Sequence, residues 1–116
     1  MANNSLFSLD NIQMPFSAEA EQAVLGSILV DPSCLSQAAV YINPESFYLP
    51  QHSAIFAAMI TLDSTGRTID PLVVLDLLVQ QGVYDNASGR NYLFELAQMV
   101  PSTANVEMYA KIVREK

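Results

Sequence analysis

The stretch from Ser17 to Val30, SAEAEQAVLGSILV, decides the fold. Ser17 has the side chain of an N-cap, an oxygen that accepts from the free N–H groups of a first helical turn. Glu19 and Glu21 follow, and carboxylates near a helix start are favoured by its dipole, so both are expected on a solvated first turn. Ala20, Val24, Leu25, Ile28 and Leu29 recur at helical spacing. The helix is expected to end near Val30, before Asp31-Pro32. Gly26 sits in its middle, where glycine costs about 1 kcal/mol against alanine. Close approach of another helix explains it.

Working outward, the same grammar repeats. Pro32 suits the first position of a second helix carrying Leu35, Ala38, Ala39 and Ile42, which Asn43-Pro44 stops. Pro50 precedes a third helix with Ile55, Phe56, Met59, Ile60 and Leu62, closed by Gly66. Asp70-Pro71 is a cap followed by proline, and opens a fourth helix from Leu72 to Gln81. That helix is apolar almost all round, with Leu72, Leu75 and Leu78 as its core residues, and Gly82 ends it. A turn-rich stretch with Asp85, Asn86, Ser88 and Gly89 leads to a fifth helix carrying Tyr92, Leu93, Leu96, Ala97 and Val100. Pro101 stops it. Ser102 or Thr103 caps a sixth, with Tyr109, Ile112 and Val113 as an apolar stripe.

The reading is therefore all-α, a compact bundle of about six helices counting the last, with residues 16–101 as the helical bundle itself. Residues 1–15 lack sustained periodicity and are expected to form a flexible arm. Residues 102–116 have no stop signal, so the last helix is expected to be the first limb of a helical hairpin, cut short.

Composition narrows the function. The chain has 116 residues, half of them apolar, which suits one folded domain. Its formal charge is -7, with five Lys and Arg, against the basic face that nucleic-acid binding needs. Cys34 is the only cysteine, so no internal disulfide forms, which suits a reducing cytosol. No apolar run approaches the roughly eighteen residues that span a membrane. His52 is the only histidine, which argues against a His-based metal cage or a Cys-His nucleophile pair. It reads as a satisfied residue near a helix N-terminus. No glycine-rich phosphate cradle and no calcium-loop spacing is present. The segment is thus expected to have no catalytic, metal or cofactor site and to work by binding proteins.

One ordered set of blocks is more specific. Glu19-Ala20-Glu21-Gln22-Ala23-Val24-Leu25-Gly26 resembles the opening helix of the bacterial replicative DNA helicase family DnaB. Phe47-Tyr48, His52, Ile55-Phe56, Ile69-Asp70, Gly82, Gly89, Tyr92-Leu93 and Leu96 follow in the family's order. Pro101-Ser102, Ala104-Asn105, Tyr109-Ala110, Ile112-Val113 and Lys116 complete it. The resemblance covers nearly everything after Pro15. It implies the helicase's N-terminal domain, a helical bundle followed by a hairpin, a linker and the ATPase motor. It further implies a cytoplasmic protein whose N-terminal domains pair into a collar over a hexameric ring and receive the DnaG primase. ATP and magnesium, and contact with DNA, would belong to the motor.

Two departures from the family pattern stand out. Ser88-Gly89 takes the place of a common Gly-Gly, and Val73, Leu77 and Val79 are apolar where the family is commonly polar or charged. Val73 and Leu77 share a face, as a larger core or as an extra contact surface. Glu19, on an exposed first turn, and Tyr92, beside the fifth helix's stripe, are the candidates for primase contact, with core packing the other reading of Tyr92. Tyr109, Ile112 and Val113 are the candidates for self-association, against packing back onto the bundle. The rival reading is a small acidic helical adaptor or transcription regulator unrelated to replication; a small enzyme is the third.

Overall fold

Helix α1 runs over Ala18–Val30, and the Ser17 Oγ accepts from the Ala20 N–H at 3.1 Å, as its cap residue requires. The computed structural model describes residues 17–100 and 102–115, so the expected arm over residues 1–15 lies outside the described residues. Five further α-helices follow: α2 (Cys34–Ala38), α3 (Pro50–Ser64), α4 (Pro71–Gln80), α5 (Asn86–Met99) and α6 (Val106–Glu115). Single 3-10 turns occupy Pro44–Ser46 and Thr103–Asn105. Among the described residues there is no strand. The chain is all-α.

α1 is the central element, and α2, α3, α5 and α6 all pack against it. Every residue from Val24 to Leu29 is buried, including Gly26 and Ser27. A helix buried all round needs its polar groups satisfied internally, and the Ser27 Oγ–H donates to the Ala23 carbonyl at 2.7 Å. Gly26 is where α5 comes closest. A Cβ there would stand 2.3 Å from the Leu96 carbonyl oxygen and 2.5 Å from Val100 Cγ2.

Three elements differ from expectation. α2 is five residues long and stops at Ala38 rather than running to Ile42. The chain leaves it because Asn43 begins its own capped turn: the Glu45 N–H donates to Asn43 Oδ1, and the Asn43 N–H donates to Ser46 Oγ. The supposed turn at Asp85–Gly89 is instead the first turn of α5. Asp85 Oδ1 accepts from the Ser88 N–H at 2.8 Å, which closes that turn as a helix start. Gly89 is buried within it, because a Cβ there would meet Leu75 Cδ1 at 2.7 Å and Tyr84 Cβ at 2.9 Å. In α4 the core face is Val74, Leu75 and Leu78, while Leu72 is 51% exposed. At 3.6 residues per turn, Leu72 lies roughly 110° from the centre of that face.

α4 begins where Asp70 Oδ1 accepts from the N–H groups of both Leu72 and Val73 at 2.9 Å. Gly66 and Gly82 close α3 and α4 with φ of 74° and 75°, a backbone that side-chain-bearing residues rarely adopt. α6 lies across α1 and α2 and buries Val106, Ala110 and Val113. Tyr41, just past α2, pins it from outside: the Lys111 Nζ and Arg114 Cζ lie 5.2 and 5.3 Å from its ring centre, and its hydroxyl donates to Glu107 at 3.3 Å.

Candidate functional site

Glu21 faces inward. On α1 it precedes Val24, Leu25 and Ile28 by three, four and seven positions, so the apolar face carries it into the bundle, where it is 1% exposed. This corrects the reading of Glu21 as a solvated first-turn carboxylate. Glu19, two positions earlier, points away and is exposed. The Glu21 carboxylate accepts from the Tyr48 N–H at 2.7 Å and the Leu49 N–H at 3.5 Å. Its Oε1 also lies 2.7 Å from His52 Nδ1, on the first turn of α3. His52 is itself 1% exposed, so the histidine is satisfied in the core, as its position implied.

The other edge of the imidazole reaches α5. His52 Nε2 lies 2.5 Å from the Tyr92 hydroxyl, with the two ring planes 6° from parallel. The Gln22 side-chain amide donates to the same hydroxyl at 3.4 Å. Tyr84 stands on the far side of Tyr92, ring centres 6.2 Å apart. Burial holds the Tyr92 hydroxyl above the ordinary tyrosine range; the Gln22 hydrogen bond lowers it, and Glu95 and Glu21 raise it further. Burial, with Tyr92 alongside, pushes Tyr84 up to about 12. A carboxylate, an imidazole and a phenol in series have the makings of an acid–base relay. The imidazole is closed to solvent, however, so the chain of bonds ties α1, α3 and α5 together, with only its Tyr92 end near the surface.

Beside that end is an open hollow of about 220 Å³ between the start of α1 and the end of α5, lined by Glu19, Gln22, Ala23, Met99 and Val100. Gln22 both lines the hollow and bonds Tyr92, so Glu19 and Tyr92 belong to one continuous face. Val73 and Leu77 lie elsewhere, on α4, half-buried against the core. Tyr109 and Ile112 are half-buried against the core from α6, while Val113 is 2% exposed. Glu21 and Gln22 were missed as site residues. The i+3, i+4, i+7 spacing that follows Glu21 was the available signal; nothing local marks Gln22, whose partner is 70 residues away.

Among the described residues, no group of three or more His, Cys, Asp or Glu side chains is placed to hold a metal ion. Nor is any helix among them long and apolar enough to cross a membrane.

Comparison with known proteins gives this arrangement its context. Residues 13–115 match the family model of the DnaB-like helicase N-terminal domain. The chain belongs to that family. The replicative DNA helicase DnaB of Geobacillus stearothermophilus is 44% identical over 102 residues, and the replicative DNA helicase DnaC of Bacillus subtilis is 41% identical over the same length. Those alignments cover 88% of this chain and 22% of each helicase, so the chain spans about a fifth of their length. The crystal structure of the N-terminal domain of DnaB helicase from Mycobacterium tuberculosis superposes with a TM-score of 0.83 at 33% identity, over 89% of this chain and 72% of that one. A DnaB-like N-terminal domain is thus what the six helices build. The adaptor and transcription-regulator reading gives way to it.

Proposed function

We propose that this domain is a non-catalytic interaction and oligomerisation element of a cytoplasmic replicative DNA helicase. It forms part of an N-terminal collar on a hexameric ring and docks the DnaG primase during chromosomal replication. DNA contact, and the ATP and magnesium that drive it, belong in this reading to the motor outside these 116 residues. The observation that carries the proposal is the match of residues 13–115 to the helicase N-terminal domain, together with alignment to only 22% of each replicative helicase.

Within this reading, the Glu19–Gln22–Tyr92 face receives primase. It combines an exposed carboxylate, a half-buried aromatic ring and a hollow able to accept a side chain, the mixture that interface anchors favour. Tyr109 and Ile112 form the self-association stripe with Val113 beneath them, and Val73 and Leu77, beside exposed Leu72, form a second contact surface. Pull-down with the helicase-binding domain of primase tests the first. Glu19→Lys or Tyr92→Phe is expected to weaken retention by about tenfold, the scale of a single interface anchor. Retention unchanged by both rejects that face. Sedimentation at several concentrations tests the second: mass should rise with concentration and fall back to the monomer in the double variant Tyr109→Glu, Ile112→Glu. For α4, unchanged association in Val73→Glu, Leu77→Glu with only stability lost assigns these residues to the core.

A further inference from the structure

His52 and Glu21 are each 1% exposed, yet a single hydrogen bond separates the imidazole from a half-buried hydroxyl on the face just described. Counting hydrogens along that path gives two arrangements. An ionised Glu21 only accepts. Its Oε2 takes the Tyr48 N–H, and its Oε1 takes the proton of His52 Nδ1. Nδ1 is therefore a donor whether the ring is neutral or charged. Nε2 is the atom that changes. In the neutral ring it is bare, so the Tyr92 O–H donates into it while the Tyr92 oxygen accepts from Gln22. In the charged ring Nε2 carries a proton and donates to the Tyr92 oxygen. Gln22 also donates to that oxygen, so the hydroxyl hydrogen is displaced from both and must turn outward.

We propose that the Glu21–His52 pair is a proton-linked positioning device: it sets whether the Tyr92 hydroxyl donates inward to His52 or outward to a docked protein that presents a carboxylate or carbonyl oxygen. The proposal rests on the reading of the Tyr92 face as a partner surface. Among the described residues, the ionisable groups around the imidazole are these. Glu21 faces it from α1 and Tyr92 from α5, with Tyr84 and Glu95 acting through Tyr92; the turn before α3 contributes backbone N–H groups to Glu21. An acceptor docked at Tyr92 favours the protonated imidazole. Docking should therefore take up a proton at His52, and affinity should rise as pH falls.

His52 is the sole histidine, so its imidazole signals in nuclear magnetic resonance need no assignment. In the free chain, the neutral ring should carry its proton on Nδ1, and the Tyr92 ring signals should shift with the imidazole's own midpoint. A proton on Nε2, an imidazole that fails to titrate while the chain stays folded, or Tyr92 signals indifferent to the titration overturns the proposal. The second measurement is calorimetric binding to the helicase-binding domain of primase in two buffers of different ionisation heat. Proton uptake is expected, with affinity rising about three- to tenfold from pH about 7.5 to about 6, within the tenfold per unit that one linked proton allows. Tyr92→Phe keeps the ring and should lose that dependence, as should His52→Gln. Binding without proton uptake overturns the proposal. Absence of binding at either pH rejects the partner reading and the outward half with it, while the inward half stands or falls on the resonance titration alone.

Discussion

Glu21 shows how much one side chain can depend on its neighbours. Its carboxylate is the shared acceptor for Tyr48, Leu49 and His52. Truncating it removes the acceptor of two part-buried backbone N–H groups and of a buried imidazole N–H, and the buried loss costs a desolvated polar group rather than one net hydrogen bond. Glu21→Ala is expected to lose about 3 kcal/mol in urea denaturation, on the scale of a broken buried pair. Gly26 makes the opposite point. Alanine is the better helix former by about 1 kcal/mol, so an isolated helix would gain from Gly26→Ala. Here the new Cβ would stand 2.3 Å from the Leu96 carbonyl oxygen, a backbone atom that moves only if α5 moves. The expected result is a net loss of about 1–3 kcal/mol from overpacking, read from the denaturation midpoint. At this scale the sequence was half legible. Gly26 announced a close approach by being a glycine in a helix, whereas Glu21 looked like any first-turn carboxylate until its spacing from Val24, Leu25 and Ile28 is counted.

The elements follow the caps. Ser17, Asp70, Asp85 and Ser102 each accept from a nearby N–H, and each opens a helix or 3-10 turn. Asp85 has the clearest consequence. The Ser88 backbone N–H holds its carboxyl below the usual carboxylate range, with a smaller share from the Ser88 side chain. A folded value below the unfolded one stabilises above the unfolded value, and that stability is lost as pH falls through the folded value. Asp85→Asn should therefore flatten the acid limb of the stability profile while leaving the neutral plateau little changed, since asparagine also caps. Denaturation midpoints between pH about 2 and 6 read it, and an unchanged acid limb would show that this cap is not coupled to folding. Helix starts marked by a cap and a proline were readable because both act within four residues. The start of α5 was misread because Asp85, Asn86, Ser88 and Gly89 are turn formers locally. Only the packing of Gly89 against Leu75 and Tyr84 makes helix the better solution there.

For the molecule as a whole, the tyrosines couple folding to pH at the alkaline end. Tyr84 is pushed up to about 12 and Tyr92 is also raised, chiefly by burial. Above the ordinary value of 10.0 the unfolded chain has given up these protons while the folded chain still holds them. The folded state then binds more protons, and stability falls as pH rises. The urea midpoint should drop between pH about 10 and about 12, and Tyr84→Phe should remove part of that drop. A slope unchanged in this variant would place the alkaline limb elsewhere. What the sequence by itself determined was the class and the punctuation: six helices, where most of them begin, and a family legible from short blocks spread in order along the chain. These depend on local backbone chemistry and on residue order, which a sequence states directly. Tertiary structure alone decided that α1 is buried all round from Val24 to Leu29, that Leu72 faces out, and that Glu21, His52 and Tyr92 meet. Those residues stand 31 and 40 positions apart, and their meeting depends on how α1, α3 and α5 pack. Helical periodicity places a side chain on a face of its own helix, but it cannot say which other helix covers that face.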